Sequence, residues 1–365
     1  MYDYLIVGAG LYGSTFARLA AQKGKRCYVI DKRDKVAGNC ADYLECGIHV
    51  HQYGAHIFHT NSEQVWKFVN KFAEFVPYVH NVKAISDGEI YSLPFNMNTF
   101  CELFGFHDPA MMYNIIHDQI AFENIENPKN LEEQAISLVG RTVYEKLIKY
   151  YTEKQWGTTC DKLSPDIIKR LPLRFTFDNN YFNDRFQALP KEGYTKFVMN
   201  MLNHDNIDLS LSTNFFDIND PESIAKKIVF TGPIDAFFEY RLGELDWRSL
   251  TFVHHTFNYE NYQGAPVINI CDNSSNATRF IEHKHFLHEK SPSTIVTWEF
   301  PKKYEPGDEQ YYPINDEKNQ KLYESYHQLA KRYPNVIFGG RLGTYKYFDM
   351  DDVIEQAMMD FAREN

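Results

Sequence analysis

Three observations predict an α/β chain in which a nucleotide-binding parallel sheet carries two insertions. A short apolar run near the start, Tyr4-Leu5-Ile6-Val7, leads into a glycine-rich turn. The stretch 99–170 places apolar residues at helical spacing. The stretch 236–300 is rich in Phe, Tyr, Thr and Val and alternates with a period of two, as antiparallel strands do. With 365 residues the chain is long enough for two or three domains.

The first unit is the most specific. After the opening strand comes Gly8-Ala9-Gly10-Leu11-Tyr12-Gly13, then a helix with Phe16, Leu19 and Ala20 on one face. A second strand, Cys27-Tyr28-Val29-Ile30, ends in Asp31. Strand, glycine turn, helix, strand and acid in this order make the full dinucleotide fingerprint of a Rossmann-like domain. Gly8 permits the tight turn, Gly10 lets backbone approach a pyrophosphate, and Gly13 allows close packing of helix on strand. The helix N-terminus stabilises phosphate charge, and Asp31 can accept hydrogen bonds from a ribose diol.

Two features favour FAD over NAD. Gly38-Asn39 follows within a basic stretch as a second glycine-bearing turn. At the far end, the strand Val336-Ile337-Phe338 runs into Gly339-Gly340-Arg341-Leu342-Gly343 and a helix beginning near Asp349. That helix carries Val353, Ile354, Ala357, Met358 and Phe361 on one face. Both chain ends thus serve one extended cofactor.

Ile228-Val229-Phe230 reads as a further strand of the same sheet, so the nucleotide domain is discontinuous. Within the helical stretch, Pro109 opens one helix and Leu131 to Val139 forms another, capped by Gly140. Tyr144, Leu147, Ile148 and Tyr151 fall at i, i+3, i+4 and i+7 and are expected to share one face. Thr251 to Phe257 and Ser293 to Phe300 alternate as strands. The expected division is an FAD-binding domain over 1–75, 190–235 and 325–365, with a helical domain and mobile loop over 95–170. An antiparallel sheet domain takes 76–94, 171–189 and 236–324.

Composition excludes several functions. The net charge of -11 argues against a nucleic-acid partner. No apolar run reaches the roughly 18–20 residues that span a bilayer, and no signal peptide opens the chain. Six cysteines without a CxxC pair disfavour a zinc or thioredoxin motif and fit a cytoplasmic protein with free thiols. His49 with His51, His56 with His59, and the group His283, His285 and His288 lack the acids or thiols that would complete a metal shell, so no metal is expected. No GxSxG occurs. The aromatic excess, 25 Tyr and 28 Phe, is read as mostly core.

Longer strings carry a family resemblance. They are 53–60 (YGAHIFHT), 151–156 (YTEKQW), 169–175 (KRLPLRF), 178–182 (DNNYF), 278–284 (TRFIEHK), 311–314 (YYPI) and 340–350 (GRLGTYKYFDM). Together, in this order from near residue 2 to near 360, they resemble the bacterial UDP-galactopyranose mutases. These are flavoenzymes that contract the galactose ring of a UDP-sugar.

The resemblance implies roles residue by residue. Arg170 and Arg279 look like the pair that clamps the diphosphate, which suits guanidinium groups that bind phosphate bidentately. Tyr151, Tyr181, Tyr312 and Tyr347 look like the tyrosines that bond diphosphate oxygens, and Thr152 belongs to the same substrate-binding string. Trp156 matches a tryptophan on a mobile loop. Asn81 and Asn269 resemble polar pocket positions. His56 resembles the histidine beside the flavin, and Arg341 an arginine near the cofactor. Asp349 and Met350 fall at the start of the last helix, beside the flavin or its ribose. One departure stands out: Leu147 and Ile148 are aliphatic where family members carry two aromatics near the uracil. The uracil is then left to Tyr151, or its stacking is weaker.

The implied activity is interconversion of UDP-galactopyranose and UDP-galactofuranose without net redox, through a covalent adduct between N5 of reduced FAD and the sugar. It further implies a reductant such as NAD(P)H or a flavin reductase, a homodimer, and a product destined for cell-surface polysaccharide. The alternatives are a flavin oxidoreductase of the amine-oxidase type and a non-catalytic nucleotide-sugar binder.

Overall fold

The structure is a computed structural model and describes residues 1–168 and 171–364. Five parallel strands form the nucleotide-binding sheet, in the order Ile207–Ser210, Cys27–Ile30, Tyr2–Val7, Ala225–Phe230 and Val336–Phe338. Their centres are continuous apolar runs because both faces are covered: Leu5, Ile6, Val29, Ile30 and Val229 are fully buried. The first helix, Leu11–Gln22, packs against the last, Met350–Arg363, and Phe16 meets Phe361 edge-on at 5.4 Å between ring centroids. The two chain ends therefore sit side by side on one face of the sheet. The second glycine run, after Phe338, closes as a short helix, Gly340–Gly343.

A seven-stranded sheet is formed by Tyr312–Pro313, Trp247–Phe257, Thr294–Lys303, Arg279–Glu282, Val267–Ile270, Val82–Ser86 and Glu89–Leu93, in that order. It is antiparallel except for one parallel pair, Val267–Ile270 beside Val82–Ser86. Alternation has the same period in either orientation, so the sequence does not distinguish the two. A three-stranded sheet joins Phe58–Thr60 and Phe75–Pro77 through Phe186–Pro190.

The helical region comprises Met97–Phe104, Pro109–Glu123, Leu131–Val139 and Lys149–Trp156. Side chains of Asn96, Asp108 and Asn130 accept hydrogen bonds from the first-turn amides of the first three, and Gly140 caps the third. Tyr144, Leu147 and Ile148 belong to one apolar cluster and Tyr151 packs against its edge, so the four share a side, but not in one regular helix. A π-helical turn occupies Tyr144–Ile148, and its wider winding breaks the 3.6-residue phase. Tyr144, Leu147 and Ile148 stay in the core, while Tyr151 opens onto a cleft.

One apolar cluster runs from Tyr4 and Phe16 through Phe58 and Phe75 to Met112, Ile116 and Tyr144, so the helices share the core of the nucleotide-binding unit. Trp247, Tyr194, Tyr326 and Phe100 are among the fully buried rings of this cluster and its neighbours, while other rings, such as Phe122 and Phe177, are exposed. Among the described residues, no helix is long and apolar enough to cross a membrane.

Candidate active site

The glycine turn floors a cavity of about 460 Å³ lined by Gly8, Gly10, Asp31, Gly38, Asn39 and Gly340. Bare backbone makes this surface. A Cβ on Gly38, whose φ is positive, would stand 3.2 Å from the Gly10 Cα, so a side chain there would press on the opposite wall. Gly13 lies beneath rather than in the cavity: a Cβ there would sit 2.0 Å from the Gly8 carbonyl oxygen. The helix Leu11–Gln22 starts at Gly10, which aims its free amides into the cavity. Asp31 accepts from the Ala9 amide at 2.8 Å and the Arg33 amide at 2.9 Å, and the remaining carboxylate lone pairs are available to a ribose. Arg33 donates to Asn39 at 2.9 Å and to Glu309 at 2.8 Å, with its guanidinium over the Tyr53 ring. A bare two-glycine cradle at a helix N-terminus with an acid at its edge fits a dinucleotide.

This cavity opens into a second of about 380 Å³, and the two share Asn39, His56, Arg341, Asp349 and Met350. Asp349 caps the last helix, and Met350 is its first residue. Of the expected substrate residues, Tyr151, Trp156, Tyr181, Asn269, Tyr312 and Tyr347 all line the second cavity, as does Arg279. The seven-stranded sheet brings Asn269 and Arg279 into register on adjacent strands.

Arg279 donates to Glu299 at 2.8 Å, and Glu299 is completely buried. Burial opposes the Arg279 charge, but Glu299 and the surrounding tyrosines more than offset this and raise its pKa well above the ordinary arginine value. Burial raises the pKa of Tyr151, Tyr181 and Tyr312, and Arg279 partly counters it. Burial likewise raises Tyr347, countered first by Arg341. These phenols stay protonated near neutral pH and can donate to an anion. Tyr312 and Tyr347 stack at 5.9 Å, and Arg341 lies over the Tyr347 ring at 4.3 Å while donating to the Phe348 carbonyl at 2.7 Å.

His56 stands where the cavities meet. Its Nδ1 lies 2.9 Å from the Gly54 carbonyl, which can only accept, so the proton sits on Nδ1 and Nε2 remains an acceptor. Burial, then neighbouring His51, pushes its pKa down to about 3, so the ring is neutral.

Several expected residues lie elsewhere. Arg170 lies outside the described residues. Asn81 is exposed and does not line the cleft; its neighbour His80 does. Thr152 is buried but lines neither cavity. His80 stacks on Phe182 and meets Tyr181 edge-on; burial, then Arg279, pushes its pKa down to about 3. Arg248 and the Arg279 partner Glu299 also escaped the sequence reading. Glu299 sits in a run read only for alternation, Arg248 lies just before the run Thr251 to Phe257, and a charge at an inward position was the available signal.

Lys154, on the helix that carries Tyr151 and Trp156, is bound like a metal cation. Its Nζ has the carbonyl oxygens of Ile270, Asp272, Ser275 and Ala277 at 2.8–3.1 Å, which share its three N–H donors. It thus ties that helix to the loop leading into Arg279.

Comparison with known proteins adds to this geometry. Residues 146–347 match the family model of UDP-galactopyranose mutase, and residues 6–72 match that of an NAD(P)-binding Rossmann-like domain. The chain is 39% identical over 359 residues to a Klebsiella pneumoniae protein described as a probable UDP-galactopyranose mutase, covering 98% of this chain and 93% of that one. It is 38% identical over 368 residues to the dTDP-fucopyranose mutase of Escherichia coli, covering 98% and 97%. A crystal structure of reduced UDP-galactopyranose mutase aligns with a TM-score of 0.76 over 100% of this chain and 95% of that one, at 13% identity, which is a likeness of fold.

Proposed function

The chain belongs to the UDP-galactopyranose mutase family, and from that premise we propose that it interconverts the pyranose and furanose forms of UDP-galactose beside a reduced FAD. The observation that carries this reading is the junction of the two cavities. A glycine cradle suited to a dinucleotide opens, across His56 and Arg341, into a cleft of Arg279 and four protonated tyrosines.

Reduced flavin, when bound, supplies covalent catalysis at the anomeric carbon through N5, with no net redox. The chain's residues do the rest. Arg279 and the phenols of Tyr151, Tyr181, Tyr312 and Tyr347 hold the diphosphate as it leaves and keep it near the anomeric carbon for its return. Arg170 joins Arg279 in this role. Neutral His56 offers an acceptor at the cofactor side, and Trp156 shields the cleft from water. No side chain has to act as the nucleophile. The reading includes a cytoplasmic homodimer, a reductant such as NAD(P)H or a flavin reductase, and a product used in cell-surface polysaccharide.

A second substrate is favoured by a specific observation: the likeness to dTDP-fucopyranose mutase is within one percentage point of the likeness to the Klebsiella protein. Leu147 and Ile148 are buried and do not line the cleft, so they offer no aromatic face to either base. The test is incubation of dithionite-reduced protein with UDP-galactofuranose and, separately, dTDP-fucofuranose. UDP-galactopyranose should form, and the oxidised protein should be nearly inactive. Turnover of the fucose compound alone would move the assignment to a dTDP-sugar. Conversion of neither would sink the mutase reading.

A further inference from the structure

The charges lining the cleft are unequally compensated. Arg279 is neutralised by Glu299 at 2.8 Å. Arg248 also lines the cleft, is only 7% exposed, and among the described residues has no carboxylate within ion-pair distance. Its partners are carbonyls at the C-terminal end of the helix Lys149–Trp156: Nε donates to Gln155 at 2.9 Å, and Nη2 reaches Lys154 at 3.5 Å. A helix C-terminus carries about half a negative charge, so a full guanidinium charge is left partly unbalanced in a buried site.

Two further contacts give this position meaning. Arg248 is directly paired across the sheet with Tyr312. It also packs against Gly157, the left-handed residue that ends the helix just after Trp156. A Cβ on Gly157 would stand 2.9 Å from Arg248 Nη1. One guanidinium thus touches the corner that sets Trp156 and faces the cavity that holds the tyrosines. Burial alone lowers the Arg248 pKa, with no acidic neighbour to restore it.

We propose that Arg248 is a positioning residue that couples the diphosphate charge of the substrate to the setting of the Trp156–Gly157 corner. This rests on the reading that the cleft takes a nucleoside diphosphate sugar. The diphosphate supplies the missing counter-charge from the cleft side, while the Lys154 and Gln155 carbonyls hold the other edge of the fork. Arginine suits this because its rigid fork can engage two partners at once.

The experiment uses oxidised, flavin-loaded protein, so that binding is read without turnover. UDP and dTDP affinities are measured by calorimetry and uridine affinity by saturation-transfer NMR, at low and high salt. Arg248→Met should weaken both diphosphates roughly 10- to 100-fold, leave uridine within about twofold, and flatten the salt dependence. An equal loss for uridine and UDP would reduce Arg248 to a structural cap, and no loss would remove it from the site; either overturns the proposal. If Arg248→Met does not fold with its flavin, Gly157→Ala is measured by the same criteria, because its Cβ displaces the guanidinium. A wild type that turns over no nucleotide sugar, yet whose variant shows the selective loss, defeats the mutase reading and leaves this inference standing. Turnover without the selective loss defeats the inference alone.

Discussion

On the reading proposed above, the dinucleotide cradle and the tyrosine-arginine cleft recognise phosphate by opposite means. The cradle does it with main chain: Gly10 and Gly38 face each other without side chains, and the amides at a helix start point inward. The cleft does it with side chains drawn from remote segments, among them Tyr151, Tyr181, Arg279, Tyr312 and Tyr347. A main-chain site is damaged by adding atoms and is indifferent to most side-chain changes. A side-chain site is damaged by removing atoms, and each residue counts. The same ligand chemistry therefore yields two different patterns of sensitivity.

Acid should break both regions at once, because they meet over buried histidines. Burial pushes His51, His56 and His80 down to about 3, and lowers His283 well below its usual value. The unfolded chain takes up protons on these rings below about pH 6.5 and the folded chain does not. Stability present above that pH is therefore lost as the pH falls toward 3, by up to about 1.4 kcal/mol per pH unit for each ring. His49, raised by its hydrogen bond to Glu289, works in the opposite sense. Urea midpoints measured from pH 8 to pH 5 should fall steeply. A flat profile would show that these rings are not held neutral.

The next test separates the regions from the cleft side. Arg279→Ala should lower kcat/KM by about 10²- to 10³-fold while the protein keeps its flavin absorbance. It also strands Glu299 as a buried charge, so the variant should melt early. Adding Glu299→Gln should restore the melting temperature without restoring activity. Recovery of activity in the double variant would mean that Arg279 acts through the fold and not on the substrate.

The smallest effect is expected from the cradle side. Gly13→Ala places a Cβ 2.0 Å from the Gly8 carbonyl oxygen and forces the turn to shift. A cost of about 1–3 kcal/mol should appear as lower flavin occupancy after purification. Molecules that do load flavin should turn over at near the wild-type kcat. A selective loss of kcat with full flavin occupancy would contradict the separation of the two regions.

How far each region could be read from sequence follows from the same contrast. The cradle residues Gly8, Gly10, Gly13 and Asp31 are close in the chain, and their spacing is itself the structural reason for the turn. The cleft residues are scattered, and only the long strings around Tyr151, Tyr181, Arg279, Tyr312 and Tyr347 marked them. Asn81 is exposed, while the adjacent His80 is buried and lines the cleft, a difference that neighbouring positions in a string do not reveal. Arg248 went unseen because the alternation read over Thr251 to Phe257 begins after it, whereas the strand itself runs from Trp247 to Phe257. The π-helical turn at Tyr144–Ile148 is silent in a pattern that assumes 3.6 residues per turn. The Asp87-Gly88 pair between Val82–Ser86 and Glu89–Leu93 is a hairpin signal that the sequence reading passed over.

The four carbonyls gathered around Lys154 bear on how the chain folds. The loop 270–277 supplies oxygens to an ammonium that belongs to a helix more than a hundred residues away in sequence. In the folded chain each side satisfies the other: the ammonium fills the gap between the carbonyls, and the carbonyls replace the water that burial removes from it. The helix and the large sheet are therefore linked through a buried charge. The helices and the large sheet should form in a single cooperative step, and fragments cut between them should remain unfolded until mixed.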